Sequence, residues 1–204
     1  GKRALVCMKH VGMNVCADAF VNSAITGVKG GLIVLAADDP SMHSSQNEQD
    51  SRFYGNFAMI PILEPSNQQE AYDMMAYAFE LSEEKKLPVL MRIVTRLAHS
   101  RAGVTISKRK AENPLSPDNE RTHWVLLPGN ARKQYAGLVQ KQNSLIESSE
   151  HSPYNNSVTT SEKAKLGVIA CGIAYNYVME NNPQSLNIPM LNTLTFNILM
   201  AYLA

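Results

Sequence analysis

Gly30-Gly31-Leu32-Ile33-Val34-Leu35-Ala36-Ala37-Asp38-Asp39-Pro40 is the stretch that decides the fold. Leu32 to Ala37 is apolar at every position, so the run does not alternate as a half-exposed strand would. It reads as a strand buried on both faces, and such strands belong to sheets covered by helices on each side. Working outward, Ala4 to Met8, Ala58 to Leu63 and Val89 to Val94 are further apolar runs of strand length. Helical patterns lie between them. Gly12 to Thr26 carries apolar residues at Val15, Ala19, Phe20, Ala24 and Ile25, and Gly27, Gly30 and Gly31 end it. Ser66 with Gln69 makes a capping box for a helix whose buried stripe is Ala71, Met74, Met75, Ala78 and Leu81. Strands alternating with helices predict an α/β fold: a mainly parallel sheet with helices on both faces and right-handed crossovers. Ligands of such sheets bind at the carboxyl ends of the strands. Four segments meet there if all the strands are parallel: Lys9 to Asn14, Asp38 to Arg52, Glu64 to Ser66 and Thr95 to Arg101.

Further along, Ala102 to Thr122 is a charged, proline-containing excursion, and Ala131 to Glu147 has helical character. Ser148 to Ser161 is rich in Ser, Asn and Thr, the composition of a linker. Beyond it Lys165 to Ala170 reads as a strand, Ile173 to Met179 as a helix and Met190 to Phe196 as another strand. The division expected is therefore a first domain over residues 1–147, a linker over 148–164 and the start of a second α/β domain over 165–204. The first residues enter a strand and the last carry no capping signal, so the chain reads as part of a longer polypeptide.

Nineteen basic residues against 18 acidic leave no field to attract nucleic acid or an anionic membrane. No apolar run reaches the roughly 20 residues that span a bilayer, and the start lacks a signal peptide, so a cytoplasmic location is expected. Cys7, Cys16 and Cys171 are scattered and sit in apolar or helical patterns. Buried, unpaired thiols are expected, and three such residues cannot by themselves hold a four-cysteine iron-sulfur cluster.

The polar clusters admit more than one use. The loop Asp38 to Arg52 holds four acids, a histidine, serines, amides and an arginine, which is either a solvated loop of Asx turns or a surface for binding a polar substrate. His43, Glu48, Asp50 and His99 have no metal-ligand spacing, and no metal site is expected. Gly27 to Gly31 precedes a strand instead of following one, so it is neither a dinucleotide fingerprint nor a P-loop. Ser44 and Ser45 lack a nucleophile elbow. His10 sits where a strand turns into a helix, a place for either a packing histidine or contact with a ligand. Of Arg52, Arg96 and Arg101, one is expected to bind a carboxylate.

The residues Met8-Lys9-His10-Val11-Gly12-Met13-Asn14-Val15, Ala36 through Arg52, Leu63-Glu64-Pro65-Ser66, Thr95-Arg96-Leu97-Ala98-His99-Ser100-Arg101 and Leu127-Pro128-Gly129-Asn130-Ala131-Arg132-Lys133 together closely resemble the alpha subunit of the indolepyruvate:ferredoxin oxidoreductases. The similarity runs on through Leu166-Gly167-Val168-Ile169 to about Val178; Cys7, Cys16 and the tail from Asn192 to Ala204 depart from the pattern. The resemblance implies oxidative decarboxylation of arylpyruvates to aryl acyl-CoA, with thiamine diphosphate and Mg2+ in a shared site, coenzyme A as acyl acceptor and ferredoxin as electron acceptor. It implies iron-sulfur clusters in the complete enzyme that this chain does not bind, a beta subunit and a homo-oligomeric assembly. Residues 1–147 would be the pyrimidine-side domain, with Lys9, His10, Gly12 and Asn14 toward the cofactor. His10 and His43 would be catalytic, and Ser45, Gln46, Asn47 and Arg52 would meet the substrate. The activating glutamate, the cluster cysteines and the magnesium site would lie outside these residues, so the chain alone is expected to be inactive. Two other classes remain: a structural or regulatory α/β subunit without chemistry, and a nucleotide-binding oxidoreductase, which the missing glycine fingerprint disfavours.

Overall fold

The computed structural model describes residues 1–117, 119–158, 168–181 and 190–192. Its main sheet is formed by β1 (Ala4–Lys9), β2 (Leu32–Asp38), β3 (Ile62–Leu63) and β4 (Val89–Val94), in the order β1-β2-β4-β3. Every pairing in it is parallel, with Ala4 opposite Leu32, Ile33 opposite Val89 and Ile62 opposite Leu90. The four carboxyl ends therefore share one edge, as the apolar runs imply.

Residue parity divides the sheet into two cores. Val34, Ala36, Ile62 and Leu90 face α1 (His10–Val15), α2 (Ala17–Thr26), α3 (Arg52–Ala58) and α6 (Pro128–Glu150), where Met13, Phe20, Ala24, Ala58, Leu138 and Leu145 are buried. Ile33, Leu63, Val89 and Met91 face α4 (Gln68–Lys85), packing on Met74, Ala78 and Leu81. Helices thus cover both faces, and burying alternate residues on each side is why these strands are apolar throughout. Gly55 lets α3 lie close to the sheet, since a Cβ there would stand 2.5 Å from Ile62 Cγ1. The edge strand β1 is different: Ala4 to Cys7 are exposed.

Several local expectations are corrected. The helix expected over Gly12 to Thr26 begins at His10 and breaks at Cys16, whose thiol turns back onto the Met13 carbonyl at 3.5 Å. It ends as expected, at Gly27, whose φ of 69° closes the helix. The strand expected over Ala58 to Leu63 is only Ile62–Leu63, because Arg52–Ala58 is helical and Met59, at φ 57°, reverses the chain. Short apolar runs do not by themselves separate helix from strand. The cap of α4 is one residue later than expected: Asn67 Oδ1 accepts from the Glu70 N–H at 2.9 Å, while the Glu70 carboxylate accepts from Ser66. Thr95–His99 is a short helix, α5, not a loop. Cys7 is exposed, because β1 has no neighbour on its outer side, while Cys16 and Cys171 are half-buried.

Residues 148–150 complete α6, and Ser149 and Ser152 are buried. Tyr154 then packs edge-on against Tyr77 of α4 with ring centroids 5.3 Å apart. A small second sheet follows: β5 (Asn156–Val158) is antiparallel to β7 (Met190–Asn192), which is parallel to β6 (Val168–Ala170). Helix α7 (Ile173–Asn181) starts after β6. The rest of the linker expected up to residue 164, the start of the strand expected at Lys165 and the continuation past Asn192 lie outside the described residues.

Candidate functional site

Strand register builds the floor of the ligand edge. Asp38, Glu64 and Arg92 share the parity of Ala36, Ile62 and Leu90, so their side chains fall on one face, and Arg92 pairs in register with Ala36 one pleat below Asp38. Arg92 Nε donates to Asp38 Oδ2 at 2.6 Å, and its Nη1 contacts Glu64 Oε1. The Ser51 N–H donates to Asp38 Oδ2 at 2.9 Å and its hydroxyl to Oδ1, which ties the far end of the long loop to the strand where the loop began. Arg52 chelates Asp50 through Nε at 2.9 Å and Nη2 at 2.6 Å, and stands 3.5 Å from Glu64 Oε2. Asp38, Glu64 and Arg92 are all under 8% exposed. Burial works against the charged form of Arg92, but Glu64 and Asp38 outweigh it and hold its pKa above the ordinary value. The hydrogen bonds that Arg52 donates to Asp50 do the same for Arg52.

The near end of the loop is organised by Asp39. Its carboxylate accepts from the His43 N–H at 3.2 Å, the Ser44 N–H at 2.8 Å, Ser45 Oγ at 2.6 Å and Thr95 Oγ1 at 2.8 Å, with Lys9 Nζ at 3.4 Å. These donors hold the bend at Ser41 and Met42, which both have left-handed backbones at φ 66° and 53°. The Ser45 hydroxyl, then the Ser44 amide, keep Asp39 well below the usual carboxylate range. A group whose folded pKa is depressed contributes stability above its unfolded pKa and loses it as pH falls through the folded value. The loop should therefore resist limited proteolysis down through the ordinary carboxylate range. Asp39→Asn should be cut between Ser41 and Gln46 at neutral pH; equal resistance in both proteins would show that Asp39 does not hold the loop.

The residues expected at the site separate into groups. His10 is fully buried at the start of α1, with Nε2 3.1 Å from the Asn47 carbonyl and no partner for Nδ1 among the described residues. A carbonyl can only accept, so Nε2 is a donor, and in the neutral imidazole Nδ1 keeps the lone pair. Lys9 Nζ bonds Ser44 O at 3.0 Å, joining the β1 turn to the loop. Gly12 lies on α1, where a Cβ would come 3.2 Å from Met8 Cβ, and Asn14 is exposed on the same helix. Asn47 Oδ1 accepts from Gln49, Gln46 is exposed, and Ser45 is turned inward to Asp39. His43 is exposed beside α5, separate from His10. Arg52 is at the edge, with its guanidinium already engaged by Asp50 and Glu64. Arg101 is exposed.

Sequence reasoning missed Arg92, Glu64 and Asp38 as a unit. The signal was present: a single arginine inside the apolar run Val89 to Val94 requires buried counter-charges. Across the edge, Arg52 Nη1 lies 3.6 Å from Cys171 Sγ, Asn176 Nδ2 donates to Ser66 O at 2.7 Å, and Arg96 stacks over the Tyr177 ring at 5.3 Å. The turn after β6 and helix α7 thus dock on the same edge.

No family model matches the chain. It is 45% identical over 182 residues to indolepyruvate oxidoreductase subunit IorA of Methanothermobacter marburgensis, covering 88% of this chain and 29% of that protein. The subunit of the same name from Archaeoglobus fulgidus is 42% identical over 201 residues, covering 94% of this chain and 31% of its own length. Among solved structures, 2-oxoglutarate:ferredoxin oxidoreductase from Magnetococcus marinus, with 2-oxoglutarate, coenzyme A and succinyl-CoA bound, superposes with a TM-score of 0.65 at 13% identity. That match covers all of this chain and 44% of the other, and it supports the α/β architecture. No helix among the described residues is long and apolar enough to cross a membrane. Over nearly its whole length the chain belongs with the indolepyruvate oxidoreductase IorA subunits, and it spans about 29% of the length of those relatives.

Proposed function

We propose that this chain forms the pyrimidine-side wall of a thiamine diphosphate site in a cytoplasmic oxidoreductase acting on arylpyruvates. In that reaction the 2-oxoacid loses CO2, its acyl group passes to the thiol of coenzyme A, and two electrons pass to ferredoxin. The observation that carries the reading is His10: a buried imidazole at the ligand edge of a parallel sheet, with one nitrogen unpartnered among the described residues, in a chain 45% identical to an indolepyruvate oxidoreductase subunit. A lone pair held there suits a heterocycle that offers an N–H donor.

Thiamine diphosphate, when bound, supplies the electron sink for decarboxylation. The chain's own part is orientation and the exclusion of water. The turn from Lys9 to Asn14 would approach the aminopyrimidine, with Asn47 fixing the His10 tautomer. Gln46, Asn47 and Ser45 would border the substrate, and Arg52 would receive its carboxylate if Asp50 gave way. His43 is the second candidate for proton transfer. The magnesium-diphosphate clamp and the iron-sulfur clusters would come from other parts of the assembly, a beta subunit and a second alpha copy included.

The test is His10→Phe in the assembled oxidoreductase. We expect a higher Kd for thiamine diphosphate by calorimetry, and a kcat/KM for indolepyruvate-dependent viologen reduction lower by about tenfold or more. Unaltered cofactor affinity and turnover would remove His10 from the site. An assembly in which the native chain supports no reduction at all would favour the non-catalytic subunit.

A further inference from the structure

We propose that the recess at the amino ends of β2 and β4, enclosed by the ends of α2 and α4 and by α6, binds a small aromatic carboxylate that carries an N–H donor. The recess measures about 380 Å3, within the range of small-molecule sites. The seven residues of β2 separate it from the ligand edge, about 20 Å at the rise of an extended strand. Its occupant is therefore a second ligand and not the substrate of that edge.

The walls are held by the protein itself. The Val28 N–H donates to Lys86 O at 3.2 Å, which fixes the two segments entering the sheet against each other. Opposite them the turn Arg121–Trp124 is pinned twice: His123 Nε2 donates to Thr26 O at 2.7 Å, and Gln134 Nε2 on α6 donates to His123 O at 2.6 Å. Ala24, Leu87 and Leu138 are buried and give an apolar floor on which a ring can lie. Trp124 stands at the border, with the His123 ring edge-on to it at 4.9 Å, and offers a second aromatic surface for stacking.

The polar groups select the rest of the ligand. Lys86 and Lys141 both line the recess, and none of the described residues lining it is acidic. Lys141 Nζ donates to Lys85 O at 2.9 Å, which brings it beside Lys86, whose ammonium has no hydrogen bond or ion pair among the described residues. Glu84, in the same turn, is already paired with Lys85 at 2.9 Å. Burial, and then the charge of Lys86, lower the pKa of Lys141. Two ammoniums that repel each other in a part-enclosed recess are relieved by an anion, and each meets a carboxylate as a charge-assisted donor. On the other wall Gln134 Oε1 is enclosed and has no partner among the described residues. Its orientation is fixed, because a flipped amide would set this oxygen against the His123 carbonyl. Such an acceptor calls for an N–H, which a bare carboxylate lacks.

The assembled oxidoreductase is titrated by calorimetry with anthranilate, which joins a carboxylate, an aromatic ring and an amino donor. Benzoate, without the donor, cyclohexanecarboxylate, without the aromatic ring, and aniline, without the carboxylate, are titrated beside it. Anthranilate should bind tightest, with aniline weaker by about tenfold or more and the other two severalfold weaker. Lys86→Met and Lys141→Met should each weaken anthranilate about tenfold and Trp124→Ala severalfold, with the remote control Lys108→Met unchanged. Lys86 and Trp124 are exposed, so their variants should keep the native thermal midpoint and report on binding alone. Absence of anthranilate binding up to about 10 mM, or native affinity in both Lys86→Met and Trp124→Ala, overturns the proposal. Aniline binding as tight as that of anthranilate overturns the carboxylate assignment.

Discussion

Arg92→Met should lower the unfolding free energy by about 3–5 kcal/mol, the largest stability loss expected from any single change in this chain. Arg92 is 7% exposed and answers two carboxylates that are themselves buried, Asp38 and Glu64. Methionine fills similar volume but leaves Asp38 without its nearest cation and Glu64 with only the longer 3.5 Å contact to Arg52. Urea unfolding followed by circular dichroism should show the midpoint fall with the slope unchanged. Adding Glu64→Gln to Arg92→Met should restore part of the loss, because one of the stranded charges is removed. A loss under about 1 kcal/mol would mean that the network contributes orientation and little stability.

Gly172→Ala should be the next most damaging change, costing about 1–3 kcal/mol from the backbone alone. Gly172 has a φ of 56°, and a Cβ there would lie 2.6 Å from Glu64 Oε1 and 2.9 Å from its Cδ. Glu64 cannot easily withdraw, since Arg92 and Arg52 both hold it. The cost should fall on the docking of β6 and α7 and not on the main sheet. Hydrogen exchange should rise at Val168–Ala170 and along α7 while β2 and β4 stay protected. Uniform deprotection of both parts would show instead that the second sheet and the first unfold together.

The architecture was legible because its signal was redundant. Four apolar runs of strand length alternating with helical patterns leave little besides a parallel sheet covered by helices, although the edge run Ala4 to Cys7 is exposed in the fold. Boundaries were less legible, and for a local reason: Arg52 to Leu63 contains Phe53, Tyr54, Phe57, Ala58, Ile60 and Ile62, a composition equally suited to a strand or a helix. The left-handed turn at Met59 that separates the two carries no glycine to mark it. The site was half legible. Its loop and the His10 turn could be placed on the ligand edge from strand direction alone. Which side chains are free could not be read, because that depends on contacts over long sequence separations, such as Thr95 to Asp39 and Arg92 to Asp38. Arg52, Arg96 and Arg101 look alike as letters. In the fold Arg52 is chelated by Asp50, and Arg96 is stacked on a ring with donors to spare.

The strand order has a consequence for how the protein is made. In the order β1-β2-β4-β3, β3 pairs with β4 and not with β2. As the polypeptide leaves the ribosome, β1 and β2 can pair as soon as both have emerged. Ile62–Leu63 must then wait through the whole of α4 for Val89–Val94, which inserts between strands already synthesised. The ion pairs between Arg92 and its two carboxylates wait for the same event. Until about residue 94 has cleared the exit tunnel, Asp38 and Glu64 lack Arg92 and the sheet lacks its β4 strand, so the nascent chain completes its long-range order only at that late step.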